Sequence, residues 1–134
     1  MDLSNHIYRS TKKYGIPSRI FTAILMQESG YKLDAKNCTT GHDRESDEIR
    51  TVCSDFGIAQ IHYDTIESYG FDKDLLTSDI TYSIDAGAKV LKWFYDRYEP
   101  RESKWYCRYN VGTRPIAQVR TACNTYVSLV SRYL

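Results

Sequence analysis

The fold of this chain is decided by the stretch Ile20-Phe21-Thr22-Ala23-Ile24-Leu25-Met26-Gln27-Glu28-Ser29-Gly30-Tyr31. At helical spacing, three apolar side chains share one face with a carboxylic acid: Phe21, Ile24, Leu25 and Glu28. Gly30 follows and predicts the end of the helix. Burial disfavours the charged form of a carboxyl, so the pattern predicts a raised pKa for Glu28 and a proton donor near neutral pH. The alternative is that Glu28 lies at the edge of the apolar face and points to water.

The size and charge of the chain exclude several classes of protein. Its 134 residues predict one domain over 1–134, long enough to bury a core. A formal net charge of +1 without a basic block argues against nucleic acid as a partner. We expect no membrane span, since no apolar run approaches about 20 residues. The start, residues 1–6, is polar and is no export leader, so we expect export by a segment missing here or by another route.

Four cysteines allow three pairings, and their spacing fits no zinc motif, so we expect no metal. Cys38 and Cys53 bracket a polar stretch, and Cys107 and Cys123 lie on either side of a break at residues 112–115. If that break joins two antiparallel helices, the last two cysteines fall at the same height. We therefore expect the disulfides Cys38–Cys53 and Cys107–Cys123, which imply an oxidising compartment. Four free thiols in a cytosolic protein are the alternative.

The remaining pattern is almost entirely helical. It predicts helices over residues 3–14, 17–30, 62–69, 79–98 and 104–110, one further turn over 72–76, and a last helix from Pro115. Ser103 is the expected cap of the helix over 104–110. We interpret residues 36–56 as a long loop tied by a disulfide, and Gly87 as a point where another backbone approaches. The fold class is therefore all-α, or α+β with a minimal sheet, with six or seven helices around a groove.

Four short motifs, taken in order, resemble those of the soluble lytic transglycosylases, whose lysozyme-like domain cleaves peptidoglycan. They are Glu28-Ser29-Gly30-Tyr31, Gly57-Ile58-Ala59-Gln60-Ile61, Ile84-Asp85-Ala86-Gly87-Ala88-Lys89-Val90-Leu91 and Tyr109-Asn110-Val111-Gly112. The resemblance extends from about residue 5 to residue 130. Two positions depart from the family pattern, with Ser83 in place of asparagine and Ala59 in place of methionine. We expect the first to loosen a support near the site and the second to alter one wall of the groove.

The resemblance implies that Glu28 acts alone, first as acid and then as base, with help from the N-acetyl group of the muramic sugar. The product is then a 1,6-anhydro sugar, and no cofactor is needed. The expected substrate contacts are Ser29, Gln60, Tyr109, Asn110 and Ile58. Ser29 and Tyr109 are also candidates for orienting Glu28. The alternatives are a solvent-facing serine, a surface glutamine, a core tyrosine and a helix-capping asparagine.

Asp55 is the residue that would change the reaction, because it lies two positions before Gly57 at the mouth of the expected groove. At roughly 6.5–9.5 Å from Glu28 it could activate water, as in goose-type lysozymes, and the enzyme would be an inverting hydrolase. The alternative is a turn aspartate that bonds its own backbone. A third hypothesis is a non-enzymatic binding or scaffold protein on the same fold.

The expected partner is the glycan strand of peptidoglycan. By the same resemblance, the small domain suits local wall opening by a secretion or conjugation machine, or by a phage. We expect a monomer that works in the periplasm, outside the cell or on a phage particle.

Overall fold

The computed structural model describes residues 2–42 and 45–134, and in them seven α-helices accompany a small antiparallel sheet. The strands are β1 (Lys36–His42), β2 (Ile49–Phe56) and β3 (Ile61–His62). The helices are α1 (Leu3–Tyr14), α2 (Ser18–Ser29), α3 (Tyr63–Tyr69), α4 (Lys73–Leu76), α5 (Ile80–Tyr98), α6 (Arg108–Val111) and α7 (Ile116–Ser131), with a 3₁₀ turn (Trp105–Cys107) before α6. The prediction of a mostly helical fold with a minimal sheet is confirmed.

Helix α2 forms as its sequence predicts. Phe21, Ile24 and Leu25 have no solvent exposure, so the apolar face is the centre of the core. The helix ends because Gly30 adopts a left-handed backbone with φ 61°, and its N–H bonds the carbonyl of Met26. Tyr31 is left-handed as well, with φ 66°, which is unusual for a residue other than glycine. Two successive left-handed residues turn the chain sharply away from the helix.

The long helix α5 packs directly on the turn between β2 and β3. A Cβ on Gly87 would lie 2.5 Å from the Cβ of Ala59 and 3.5 Å from the ring of Phe21, so a larger residue does not fit. The position is crowded, but the neighbours are side chains, so the prediction that another backbone approaches Gly87 was wrong. Ala59 is fully buried by this contact. The prediction that it alters a wall of the groove was therefore wrong.

The prediction of a loop over residues 36–56 was also wrong, because β1 and β2 form an antiparallel hairpin in which Cys38 faces Cys53. Strands are recognised in sequence by one apolar face, and every residue of β1 is exposed, as are the first four residues of β2. A hairpin exposed on both faces leaves no such alternation. Residues 43 and 44 of the expected loop, and Met1 of the polar start, lie outside the described residues.

The Cys107–Cys123 disulfide joins the 3₁₀ turn to α7, with the two Cα atoms 5.1 Å apart. Both expected disulfides are thus confirmed. Beside this bond, Arg108 is only 4% exposed and pairs with Glu102 through two nitrogens. The same guanidinium donates to the carbonyls of Gly112 and Arg114, so its burial is fully compensated. Ser103 is not the expected cap, since the 3₁₀ turn begins after Lys104 without a side-chain cap.

Candidate active site

A groove with a volume of about 1070 Å³ runs between the end of α2, the base of the hairpin, α5 and α6. Its size is typical of a site for a sizeable ligand. Six of the seven side chains proposed from the sequence line it: Glu28, Ser29, Asp55, Gln60, Tyr109 and Asn110. The sequence motifs therefore meet in one place. Val90 and Phe94 of α5 add an apolar wall.

Glu28 lies in the last turn of α2, at the edge of the groove. Burial raises the pKa of its carboxyl from 4.5 to about 7, because desolvation disfavours the charged form. A hydrogen bond from Tyr126 opposes this by lowering the pKa, and the negative charge of Asp55 raises it. Both protonation states of Glu28 are thus populated near neutral pH.

Tyr126 is a neighbour of Glu28 that the sequence analysis did not propose for the site. Its hydroxyl donates to Glu28 Oε1 at 2.9 Å across the interface between α7 and α2. Burial, together with the charge of Glu28, raises the pKa of Tyr126, so this hydroxyl remains a donor. The sequence places Tyr126 on the inner face of the last helix, next to apolar positions. A buried tyrosine hydroxyl usually needs a polar partner, and that requirement was the available signal.

The turn over residues 57–60 is bonded to α2 and to the start of the hairpin. Ser29 Oγ donates to the carbonyl of Ile58 at 2.7 Å. Gln60 has a left-handed backbone with φ 49°, and its Nε2 donates to the carbonyls of Gly57 and Ala35 at 2.8 and 3.1 Å. The amide nitrogen of Gln60 therefore holds the turn, and its Oε1 is the atom left to accept a bond from a ligand.

Ile58 is not where the sequence analysis expected it. Its side chain has no solvent exposure and belongs to the core, so it cannot contact a sugar in the groove. The error arises because Gly57, Ile58 and Ala59 are all buried, and only Gln60 of this turn lines the groove. Ile58 contributes only its carbonyl, which accepts the bond from Ser29. It supports the site from behind.

Ser83 packs against Gly57, the first residue of the turn over residues 57–60. Its hydroxyl is buried and donates to the carbonyl of Leu76 at 2.7 Å. A Cβ on Gly57 would lie 2.8 Å from this hydroxyl and would clash with the carbonyl oxygen of Leu76. Gly57 also has a left-handed φ of 84°, so glycine suits this position on both counts. The serine at position 83 is therefore an integral part of the support behind the site.

Tyr109 contacts the turn and not the catalytic candidate. Its hydroxyl donates to the carbonyl of Ala59 at 2.6 Å, so the expected bond to Glu28 is replaced by one to Ala59. Burial raises the pKa of Tyr109 well above its usual value, and the charges of Glu28 and Asp55 add to the rise. Asn110 is exposed and lines both the groove and a smaller cavity of about 300 Å³ beside α7. Gly112, and not Asn110, caps α6.

Asp55 lies on β2, opposite His62 of β3, and lines the same groove as Glu28. Its Oδ2 accepts hydrogen bonds from Asn37 Nδ2 at 3.1 Å and Ser54 Oγ at 2.8 Å. The alternative of a turn aspartate is therefore wrong, because the residue is in a strand and is held by side chains. Two carboxyls, one raised in pKa and one held by hydrogen bonds, thus lie around one cavity.

Over residues 2–42 and 45–134, no cluster of three or more histidine, cysteine, aspartate or glutamate side chains could hold a metal ion. None of the described helices is both long and apolar enough to cross a bilayer.

Comparison with known proteins agrees with this geometry. Residues 5–125 match the family model described as "Transglycosylase SLT domain". The proteins named "Protein IpgF" from Shigella flexneri and Shigella sonnei are each 29% identical to this chain over 110 residues. The match covers 80% of this chain and 65% of each relative. The chain therefore spans slightly less than two thirds of the length of these relatives.

Proposed function

Since the chain belongs to the transglycosylase SLT domain family, we propose that it is a peptidoglycan lytic transglycosylase. It cleaves the β-1,4 bond between N-acetylmuramic acid and N-acetylglucosamine and leaves a 1,6-anhydro sugar. The observation that supports this most strongly is Glu28, a carboxyl with a pKa of about 7 at the edge of a groove of about 1070 Å³.

In the first step, neutral Glu28 gives its proton to the glycosidic oxygen as the bond to the anomeric carbon breaks. Tyr126 already donates to Oε1, so Oε2 is the oxygen that carries the proton to the substrate. Positive charge develops on the anomeric carbon, and the N-acetyl group of the same sugar stabilises it. Gln60 Oε1 and the amide of Asn110 are the groups we assign to the sugar substituents.

In the second step, ionised Glu28 removes the proton of the 6-hydroxyl of the muramic sugar. The freed oxygen bonds to the anomeric carbon, Glu28 is neutral again, and no water is consumed. Between the two steps Tyr126 stabilises the carboxylate by its hydrogen bond. A pKa near neutral pH suits a group that must be an acid and then a base.

A hydrolytic reaction is the second candidate, and Asp55 favours it. This residue lines the same groove, and its negative charge contributes to the raised pKa of Glu28. In a hydrolase, Asp55 would take a proton from water while Glu28 protonates the leaving oxygen. The bonds from Asn37 and Ser54 would hold its carboxylate for that role.

Mass spectrometry of digested peptidoglycan separates the two reactions. Anhydro-muropeptides are expected from the wild type, and reducing ends would assign the hydrolase. Glu28→Gln should lose nearly all activity, a drop of about 10²- to 10⁴-fold, whereas Glu67→Gln should keep it, because Glu67 is an exposed glutamate on α3 outside the groove. Undiminished wall clearance by Glu28→Gln would instead support the scaffold hypothesis.

We also propose that the protein works as a monomer in an oxidising compartment, the periplasm or the cell exterior. The two disulfides support this location. Its use by a secretion or conjugation machine, or by a phage particle, is part of the same proposal. Peptide mapping without reduction and analytical ultracentrifugation test the disulfides and the oligomeric state.

A further inference from the structure

Two lysines line the groove, and no part of the proposed reaction uses them. Lys32 follows the left-handed pair Gly30 and Tyr31 at the end of α2, and Lys36 begins β1. Both side chains are exposed and both border the cavity that contains Glu28. Within the described residues neither lysine forms an ion pair, although Asp34 lies between them in sequence.

The segment that carries these lysines is anchored to the site. The carbonyl of Ala35 accepts the backbone N–H of Gly57 at 2.8 Å and Nε2 of Gln60 at 3.1 Å. The N–H of Ala35 bonds the carbonyl of Lys32, which closes a turn between the two lysines. Their backbone is thus fixed relative to Gln60, while their long side chains remain in water.

Charge is distributed unevenly around the groove. The acidic side chains that line it are Glu28, Asp55 and Asp64. Asp64 Oδ2 lies 3.7 Å from His62 Nδ1. Asp55 accepts hydrogen bonds from the neutral side chains of Asn37 and Ser54. None of these acidic side chains pairs with Lys32 or Lys36, so both lysines can bind an anionic group of a ligand. A neutral sugar backbone gives no reason for two such groups.

The geometry points to a site for the carboxylates of the stem peptides that peptidoglycan carries on its muramic sugars. We propose that Lys32 and Lys36 bind these carboxylates, so that the enzyme prefers peptide-bearing glycan to bare glycan. This inference rests on the proposed function, because it assumes that the groove binds a peptidoglycan strand. An exposed ion pair contributes little in water, so each lysine should change the preference by about 2- to 5-fold. Added salt should weaken the preference, since exposed charges are screened.

The test compares kcat/KM on peptidoglycan before and after its stem peptides are removed by an amidase, with the lactyl carboxylate that the amidase leaves on each muramic sugar then coupled to ammonia by carbodiimide, so that the bare glycan is uncharged. The wild type should prefer the peptide-bearing substrate by on the order of 10-fold at low salt, the combined effect of two exposed pairs. Lys32→Gln/Lys36→Gln should bring the ratio of the two kcat/KM values close to one. The control Lys12→Gln/Lys89→Gln removes two exposed lysines outside the groove and should keep the wild-type ratio. Circular dichroism of each variant verifies folding.

The outcomes separate this inference from the proposed function. Equal cleavage of both substrates by the wild type would overturn the stem-peptide site and leave the transglycosylase intact. The stem-peptide site would also be overturned if Lys32→Gln/Lys36→Gln kept the preference for peptide-bearing glycan, or if added salt did not change that preference. Failure to cleave either substrate would overturn the proposed function itself.

Discussion

Glu28→Gln should make the protein more stable and inactive at the same time. Burial raises the pKa of Glu28 from 4.5 to about 7, and a difference of one in pKa corresponds to about 1.4 kcal/mol. Keeping the ionised carboxyl in the folded protein therefore costs on the order of 3 kcal/mol. Glutamine has nearly the same shape, carries no charge, and still offers an oxygen to Tyr126, so it avoids this cost.

The sign of the pH dependence follows from the raised pKa. Below pH 4.5 the carboxyl is neutral in both the folded and the unfolded chain, and the two proteins should be equally stable. Between pH 4.5 and 7 the folded wild type binds more protons than the unfolded chain, so its stability falls as the pH rises. Above pH 7 the free energy of unfolding of Glu28→Gln should exceed that of the wild type by a constant amount, about 3 kcal/mol.

Urea denaturation of both proteins at pH 4, 5.5, 7 and 8.5 measures this difference in the free energy of unfolding. Release of soluble muropeptides measures activity. Loss of a general acid should lower the rate by about 10²- to 10⁴-fold. Glu67→Gln, an exposed glutamate on α3, serves as the control and should change neither quantity. A difference that does not vary with pH, or a variant less stable than the wild type at pH 8.5, would refute the reasoning.

Two further substitutions test the groups that act on Glu28, and a third tests the packing of α5 on the turn over residues 57–60. Tyr126→Phe removes the hydrogen bond that lowers the pKa of Glu28, so the alkaline limb of the pH profile of kcat/KM should move to higher pH; an unmoved limb would mean that the bond has no effect on the acid. Asp55→Asn removes a charge that raises that pKa, so the same limb should move to lower pH, and anhydro products should persist; loss of all product would favour the hydrolase. Gly87→Ala forces a Cβ to within 2.5 Å of that of Ala59 and should lower the free energy of unfolding by about 1–3 kcal/mol, as urea denaturation measures; an unchanged midpoint would show that the contact can relax.

The helical part of the fold was predictable because its signals are local. The apolar face of α2 and the glycine that ends it lie within twelve residues, and the structure reproduces both. The Cys107–Cys123 disulfide followed from one assumption about antiparallel neighbours. The hairpin was not predictable in this way, because a strand pair that buries neither face has no alternating pattern to read.

The candidate site was predictable in its residue types but not in its contacts. Motifs that are far apart in sequence converge on one groove, since Glu28, Gln60 and Tyr109 all line it. Which side of a turn faces the groove depends on backbone angles, so Ile58 was assigned to substrate and lies in the core. The contact between Tyr126 and Glu28 joins residues 98 positions apart. No local pattern specifies such a pair.

The pKa of Glu28, measured directly, is the strictest test of the mechanism. The chemical shift of the side-chain carboxyl carbon, followed by NMR against pH in protein labelled at glutamate, reports it without substrate. A titration midpoint near 7 is the expected result. A midpoint near 4.5, the ordinary value for a glutamate in water, would mean that Glu28 is already ionised at neutral pH and is not the proton donor.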